Sequence, residues 1–184
     1  MNNLIALSGK MLSGKNTVAD YINELSGGIY EYKSFAYKVK LTASMLTGIP
    51  VSMLELQEVK QSKLGPEWGG MTVREMLQKI GTDCMRDNLH KDVWVNSLFT
   101  DYSKGDSKWI ITDLRFPNEF ERVKQLGGAV FRIIRPFDEP RVNEHESETA
   151  LDHLPHTEYD AVIVNDGSLG ELLFKIKTAC LTLA

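Results

Sequence analysis

The run Gly9-Lys10-Met11-Leu12-Ser13-Gly14-Lys15-Asn16-Thr17 frames four residues between two glycines and sets a lysine directly after the second. Backbone N–H groups can wrap a polyphosphate only where side chains stay out of the way, and the N-terminus of a following helix adds partial positive charge. Lys15 then supplies a mobile cation for the terminal phosphates and is the first catalytic candidate. Gly9, Leu12, Ser13, Gly14, Lys15, Asn16 and Thr17 form the candidate phosphate cradle. The position after Lys15 holds Asn16 where such loops usually carry the Ser or Thr that serves magnesium, and Thr17 follows one residue later. Either the Asn16 carbonyl or the Thr17 hydroxyl can take that role.

A second carboxylate and several arginines extend the chemistry. Trp109-Ile110-Ile111-Thr112 is an apolar run that ends in Asp113, where the C-terminal edge of a parallel sheet brings a carboxylate towards the phosphates and their magnesium. A plain cap of the next turn is the structural alternative. Arg115 follows and can fork onto an acceptor phosphate. Arg132, Arg135 and Arg141 cluster further on; period-two geometry puts Arg132 on a strand, whereas Arg135 and Arg141 can reach in from a loop. Phosphoryl transfer wants such cations because charge spreads over the transferring oxygens. In the run from Thr72, Arg74, Gln78 and Thr82 share one helical stripe, beside an apolar flank of Val73, Leu77 and Ile80. Arg74 suits an acceptor phosphate and Gln78 a base edge, since a side-chain amide both donates and accepts. The segment Phe35 to Lys40, with Phe35 and Lys38, is the second place for an acceptor. His145, Glu146, Ser147, Glu148, His153 and His156 match no helix-borne zinc spacing, and no nucleophile-elbow sequence supports a hydrolase.

The elements that must position these groups are legible from apolar runs. Leu4 to Ser8, Ile29 to Phe35, Trp109 to Thr112, Ala129 to Ile134 and Ala161 to Val164 read as strands. All but the second lack strict alternation, which suits strands buried on both faces of a parallel sheet. Helices are expected from about Gly14 to Leu25, after Ala36, from Thr72 to Met85, from Asp87 to Tyr102, from Asn118 to Leu126, and from Ser168 onward. Capping boxes at Thr72-Val73-Arg74-Glu75 and Ser168-Leu169-Gly170-Glu171 fix two of those starts. Pro136 to His156 is charged and aperiodic, as a lid-like loop would be. The fold class is thus α/β, a five-stranded parallel sheet flanked by helices with lid and acceptor-binding insertions.

At 184 residues and 42% hydrophobic, the chain suits one domain over residues 1–184, with an acceptor-binding insertion at about 36–105 and the lid at about 136–156. No run approaches the ~18 apolar residues of a membrane span. A net charge of -4 speaks against gripping a nucleic-acid polymer, though a local positive pocket for a small anion stays possible. Cys84 and Cys180 have no metal-ligand spacing and suggest no disulfide framework, which fits a cytoplasmic protein.

Taken together, Gly9 to Thr17, the run Thr72 to Thr82 with Arg74, Gln78 and Gly81, the block Thr112-Asp113-Leu114-Arg115-Phe116-Pro117-Asn118-Glu119, His145-Glu146-Ser147-Glu148, and Val164-Asn165-Asp166-Gly167-Ser168 resemble the phage-type deoxynucleoside monophosphate kinases. The likeness runs over nearly the whole chain. It implies a P-loop kinase fold, ATP and Mg²⁺ on the donor side, and dGMP, dTMP or a modified dCMP as acceptor. It implies that Asn165 to Gly167 lie near the adenine; beside the resemblance, Arg141 and His145 join Phe35, Lys38, Arg74, Gln78, Thr82 and Arg115 as acceptor-side candidates, and Asn16 or Thr17 with Asp113 are the candidates for the metal. Lys15, Asp113, Arg115 and Arg135 form its catalytic set. A homodimer and, for a phage-encoded chain, the host cytoplasm are further implications. Two rivals stand beside it. A kinase with a hydroxyl acceptor, resembling dephospho-coenzyme A kinase, would need a general base where this chain offers mostly arginines. A nucleotide-dependent switch would want an Asn-Lys-x-Asp guanine reader after a strand, and the nearest string, Ser103-Lys104-Gly105-Asp106, precedes one.

Overall fold

The computed structural model of the chain describes residues 2–136 and 149–182. The chain divides into two compact units, Met1–Ser34 with Asp101–Ala184, and Phe35–Thr100.

The first unit is built on strands β1 (Leu4–Ser8), β2 (Glu31–Lys33), β3 (Trp109–Leu114), β4 (Ala129–Ile134) and β5 (Ala161–Val164). They form one sheet in the order β2-β3-β1-β4-β5, and every pairing is parallel. The central strand β1 is buried at all five positions, as expected where helices cover both faces. On one face, Ile5, Leu7, Ile110, Phe131, Ile133 and Ile163 pack with Val18, Ala19 and Ile22 of α1 (Lys15–Leu25) and with Leu172, Ile176 and Cys180 of a C-terminal helix. On the other, a Cβ added at Gly128 would stand 2.7 Å from Val123 of the helix Pro117–Gln125 and 2.9 Å from Leu4 of β1, so glycine lets helix and sheet close up.

β3 departs from a plain strand. Leu4, Ile5 and Ala6 pair with Trp109, Ile110 and Ile111, but Ser8 pairs with Leu114, so β3 carries an extra residue at Thr112–Asp113. The expected strand stopped at Thr112; the observed one runs on through this bulge, with Asp113 inside it. Bulges re-aim side chains and recur beside functional sites. β2 is shorter than expected, because Phe35 already has helical backbone angles ahead of α2 (Ala36–Thr47).

The second unit contains α2, a short α3 (Gln57–Gln61), α4 (Val73–Gln78), and α5 (Val93–Phe99), with 3₁₀ turns at Met53–Glu55 and Pro66–Trp68 that the sequence pattern did not announce. Ala43, Leu54, Val73, Met76, Ile80 and Trp94 form its core. The capping box at Thr72 is present in full: Glu75 N–H donates to Thr72 Oγ1 and Thr72 N–H to Glu75 Oε2. The expected continuous helix to Met85 is corrected, since α4 gives way to a π-helical segment over Lys79–Asp87. Gly81 lowers helix propensity there, and the Trp94 indole N–H takes up the Gly81 carbonyl at 2.8 Å. The helix expected from Asp87 begins only at Val93, because Asp92 N–H donates to His90 Nδ1 in a local turn.

Returning to the first unit, α6 (Pro117–Gln125) follows β3 and α7 (Leu169–Thr182) closes the chain. The second expected capping box holds as well, with Ser168 N–H donating to Glu171 Oε2 at 2.7 Å. Among the described residues, no helix is long and apolar enough to cross a membrane.

Candidate active site

β1 ends at Ser8 and the chain loops through residues 9–14 before α1 starts at Lys15. Glycine is required at both ends of this loop. A Cβ on Gly9 would lie 2.4 Å from the Ile133 carbonyl oxygen, and Gly14 has φ of 102° with Asn165 Nδ2 only 2.8 Å from where its Cβ would be. Leu12, at the exposed tip, adopts φ of 67°, a left-handed conformation uncommon for a bulky side chain. Neighbouring elements brace the loop: Asn165 Nδ2 donates to the Ser13 carbonyl at 3.0 Å and Arg135 Nη1 to the Leu12 carbonyl at 3.3 Å. Lys15 Nζ donates to the carbonyls of Gly9 and Lys10 at 2.6 and 2.7 Å.

The charges converge around that ammonium. Burial lowers the Lys15 pKa to about 8; the Arg115 guanidinium pushes the same way, Asp113 opposes it, and Arg132 adds a smaller push down. Lys15, Arg115 and Arg132 thus give the root of the loop a positive field that Asp113 offsets only in part, the electrostatics that suit an anion. Ser34 Oγ donates to Asp113 Oδ2 at 2.7 Å and fixes the bulged carboxylate. Arg115 is placed by the start of α6, where Pro117 opens the helix and the buried Glu119 carboxylate accepts the N–H groups of Arg115 and Phe116 at 2.8 and 3.0 Å. Arg132, largely buried on β4, donates to Ser8 Oγ at 3.1 Å.

Sequence reasoning placed Arg132 on a strand among the cations that phosphoryl transfer wants but left it out of the catalytic set, and it gave Ser34 and Glu119 no role. A charged residue inside the apolar run Ala129 to Ile134 was the available signal for Arg132. Ser34 carried none, because its partner lies 79 positions away.

The cradle fits a polyphosphate on its own terms. The Ser13 hydroxyl is buried with no hydrogen-bond partner among the described residues, and it stands beside Gly9, where a side chain would fill the space. Asn16 and Thr17 are exposed in the first turn of α1, open to solvent and to a metal's water shell. Among the described residues no cluster of three or more His, Cys, Asp or Glu side chains is placed to hold a metal. Mg²⁺ draws most of its ligands from water and substrate phosphate, so the donor set of Asn16 or Thr17 with Asp113 suits it.

Asn165 sits at the end of β5, yet its amide braces the phosphate loop, a role the sequence did not suggest. Gly167 lies in the following turn, with the Glu171 carboxylate folded against it.

In the second unit, Arg74 is exposed and Nη2 donates to Gln57 Oε1 of α3 at 2.8 Å. Gln78 ends α4 and is half-buried, whereas Thr82 falls in the π-helical segment, where the wider turn breaks the expected stripe. Lys38 Nζ donates to the Ser97 carbonyl at 2.5 Å, and Phe35 is buried edge-on against Phe99 with ring centres 6.2 Å apart. Arg141 and His145, with most of the lid-like segment, lie outside the described residues.

Comparison with known proteins adds the following. A family model described as deoxynucleotide monophosphate kinase matches residues 43–176. A putative deoxynucleotide monophosphate kinase of Acanthamoeba polyphaga mimivirus is 33% identical over 187 residues, covering 94% of this chain and 93% of that one. The deoxynucleotide monophosphate kinase of Enterobacteria phage T4 is 34% identical over 110 residues, which span 58% of this chain and 44% of the phage protein. Among solved structures, dephospho-CoA kinase from Campylobacter jejuni aligns over 100% of this chain and 98% of its own with a TM-score of 0.51 at 18% identity, a likeness of fold.

Proposed function

Because the chain belongs to the deoxynucleotide monophosphate kinase family, we propose that it moves the γ-phosphate of ATP onto a deoxynucleoside monophosphate, giving the diphosphate and ADP. The observation that carries this reading is the meeting of Lys15, Asp113, Arg115 and Arg132 at a glycine-framed loop whose backbone leaves room for phosphate.

The chemistry asks little covalent work of the protein. A nucleoside monophosphate has a second pKa of about 6 and arrives as an anion, so no general base is needed. What it needs is cations that neutralise the spreading charge and hold donor and acceptor in line. Lys15 meets the terminal phosphates, and the loop N–H groups from Gly9 to Thr17 cradle them. Arg115, whose backbone N–H is held by Glu119, and Arg135, already on the loop carbonyl of Leu12, supply further positive charge. Mg²⁺, when bound, shields the phosphate oxygens; Asn16 or Thr17 and Asp113 are the residues that would hold it or its waters. Asn165 and Gly167 contribute the adenine end. Arg74, Gln78, Thr82, Lys38 and Phe35 make up the acceptor side, with Arg74 on the phosphate and Gln78 on the base edge.

A coupled assay with ATP and Mg²⁺ against a panel of ribo- and deoxynucleoside monophosphates tests the reading. ADP release with at least one deoxynucleoside monophosphate is expected. Turnover with a hydroxyl acceptor such as dephospho-coenzyme A, and with none of the monophosphates, would replace it with the hydroxyl-kinase reading.

A further inference from the structure

Arg132 is held from three sides, and its shortest tether comes from Asp152, in the described C-terminal part of the lid-like stretch. Nη1 donates to Ser8 Oγ at 3.1 Å, the residue that ends β1 and its register partner across the sheet. Nη2 donates to Asp152 Oδ1 at 2.7 Å, and the guanidinium lies over the Tyr159 ring at 5.9 Å. The Arg132 side chain is only 14% exposed, so this geometry is not that of a solvated surface cation.

Asp152 is itself firmly placed. Its N–H closes a turn onto the Thr149 carbonyl at 2.9 Å, and the preceding Leu151 is buried, with its carbonyl accepting from the Tyr159 hydroxyl at 3.5 Å. The other Asp152 oxygen faces Lys10 Nζ of the phosphate loop at 3.9 Å. One carboxylate therefore stands between a strand arginine and a loop lysine, both next to the phosphate cradle.

We propose that Arg132 is a further cation of the phosphoryl-transfer site and that Asp152 is its positioning residue, holding the guanidinium at the root of the loop. The inference rests on the kinase reading above and assigns two residues to it. Charge–charge attraction alone would let a flexible arginine wander, whereas the fork geometry with Ser8 on one nitrogen and Asp152 on the other fixes its plane. A cation fixed before the charge develops costs no reorganisation at the moment of transfer. Asp152 need not touch nucleotide to matter.

The test is a double-mutant cycle on kcat with the full chain, using Asp152→Ala, Arg132→Met and their combination, and Asp152→Asn as the conservative variant. Far-ultraviolet circular dichroism and thermal melting first establish that each variant is folded. Asp152→Ala is expected to lower kcat about 10-fold with the KM values for ATP and acceptor within about 2-fold, because the lost term acts in the transition state. Asp152→Asn should recover most of that loss, since its Oδ1 still accepts. In the Arg132→Met background, Asp152→Ala should have no further effect. Equal losses in both backgrounds, or an unchanged kcat in folded Asp152→Ala, would overturn the positioning role alone. A wild-type chain that forms no deoxynucleoside diphosphate would overturn the kinase reading along with it. Should Arg132→Met be unstable, Arg132→Lys keeps a charge without the fork, and the same non-additivity is expected.

Discussion

The side-chain amide of Asn165, at the end of β5, donates to the carbonyl of Ser13 across 3.0 Å, tying the far edge of the sheet to the phosphate loop. Asn165→Ala removes that brace and leaves the loop carbonyl to solvent. A lost neutral hydrogen bond of about 1 kcal/mol would raise the Kd for ATP roughly 5-fold. Isothermal titration with a non-hydrolysable ATP analogue measures it, and the acceptor KM is expected to stay level.

Lys15→Ala should lower kcat by at least ~10³-fold in a folded chain, as the lost charge is needed most in the transition state. Single-turnover kinetics separate this from a binding defect.

The depressed Lys15 pKa, about 8, gives a signed pH prediction. Between about 8 and the ordinary 10.5, the folded chain binds fewer protons at this site than the unfolded one, so its contribution to stability rises with pH. A bound polyphosphate favours the charged ammonium and should pull the pKa back up. ATP binding at pH 9 is therefore expected to take up a proton, read by calorimetry in buffers of different ionisation enthalpy. Lys15→Ala should abolish the uptake; equal uptake in the variant would assign it to another group.

Asp113→Asn should raise the magnesium concentration for half-maximal activity sharply, and Ser34→Ala should do so by a smaller factor, because Ser34 only orients the carboxylate. A magnesium titration of both variants decides the point. Unmoved curves would leave Asp113 as a structural group of the β3 bulge.

On the acceptor side, Arg74→Ala is expected to raise KM for every deoxynucleoside monophosphate. Gln78→Ala should reorder the bases and leave the KM for ATP nearly alone. The Gln57 amide beside Arg74 supplies a control: Gln57→Ala frees the guanidinium without removing its charge and should leave acceptor KM within about 2-fold.

Much of this architecture was legible in the chain because β1, β3, β4 and β5 are built on largely apolar runs, and such runs have few places to go other than a sheet covered on both faces. The phosphate loop was equally plain, since Gly9 and Gly14 are demanded by backbone shape and proximity. Features fixed by partners distant in sequence were hidden. Trp94 stabilises a π turn 13 residues back, and no periodicity announces that. The Ser34–Asp113 and Arg132–Ser8 bonds join residues 79 and 124 positions apart, so they became visible only when the sheet order was known.

The bulge in β3 makes the place of Asp113 a matter of phase as well as of chemistry. In an unbroken ladder Ser8 would face Asp113; with the added residue it faces Leu114, which is buried. Removing Thr112 would cancel the extra residue: Leu114 would still face Ser8, while Asp113 would become an ordinary ladder residue opposite Leu7 and lose the aim that the bulge gives it. At this point of the chain the residue count is under constraint, and a one-residue deletion is a graver change than most substitutions.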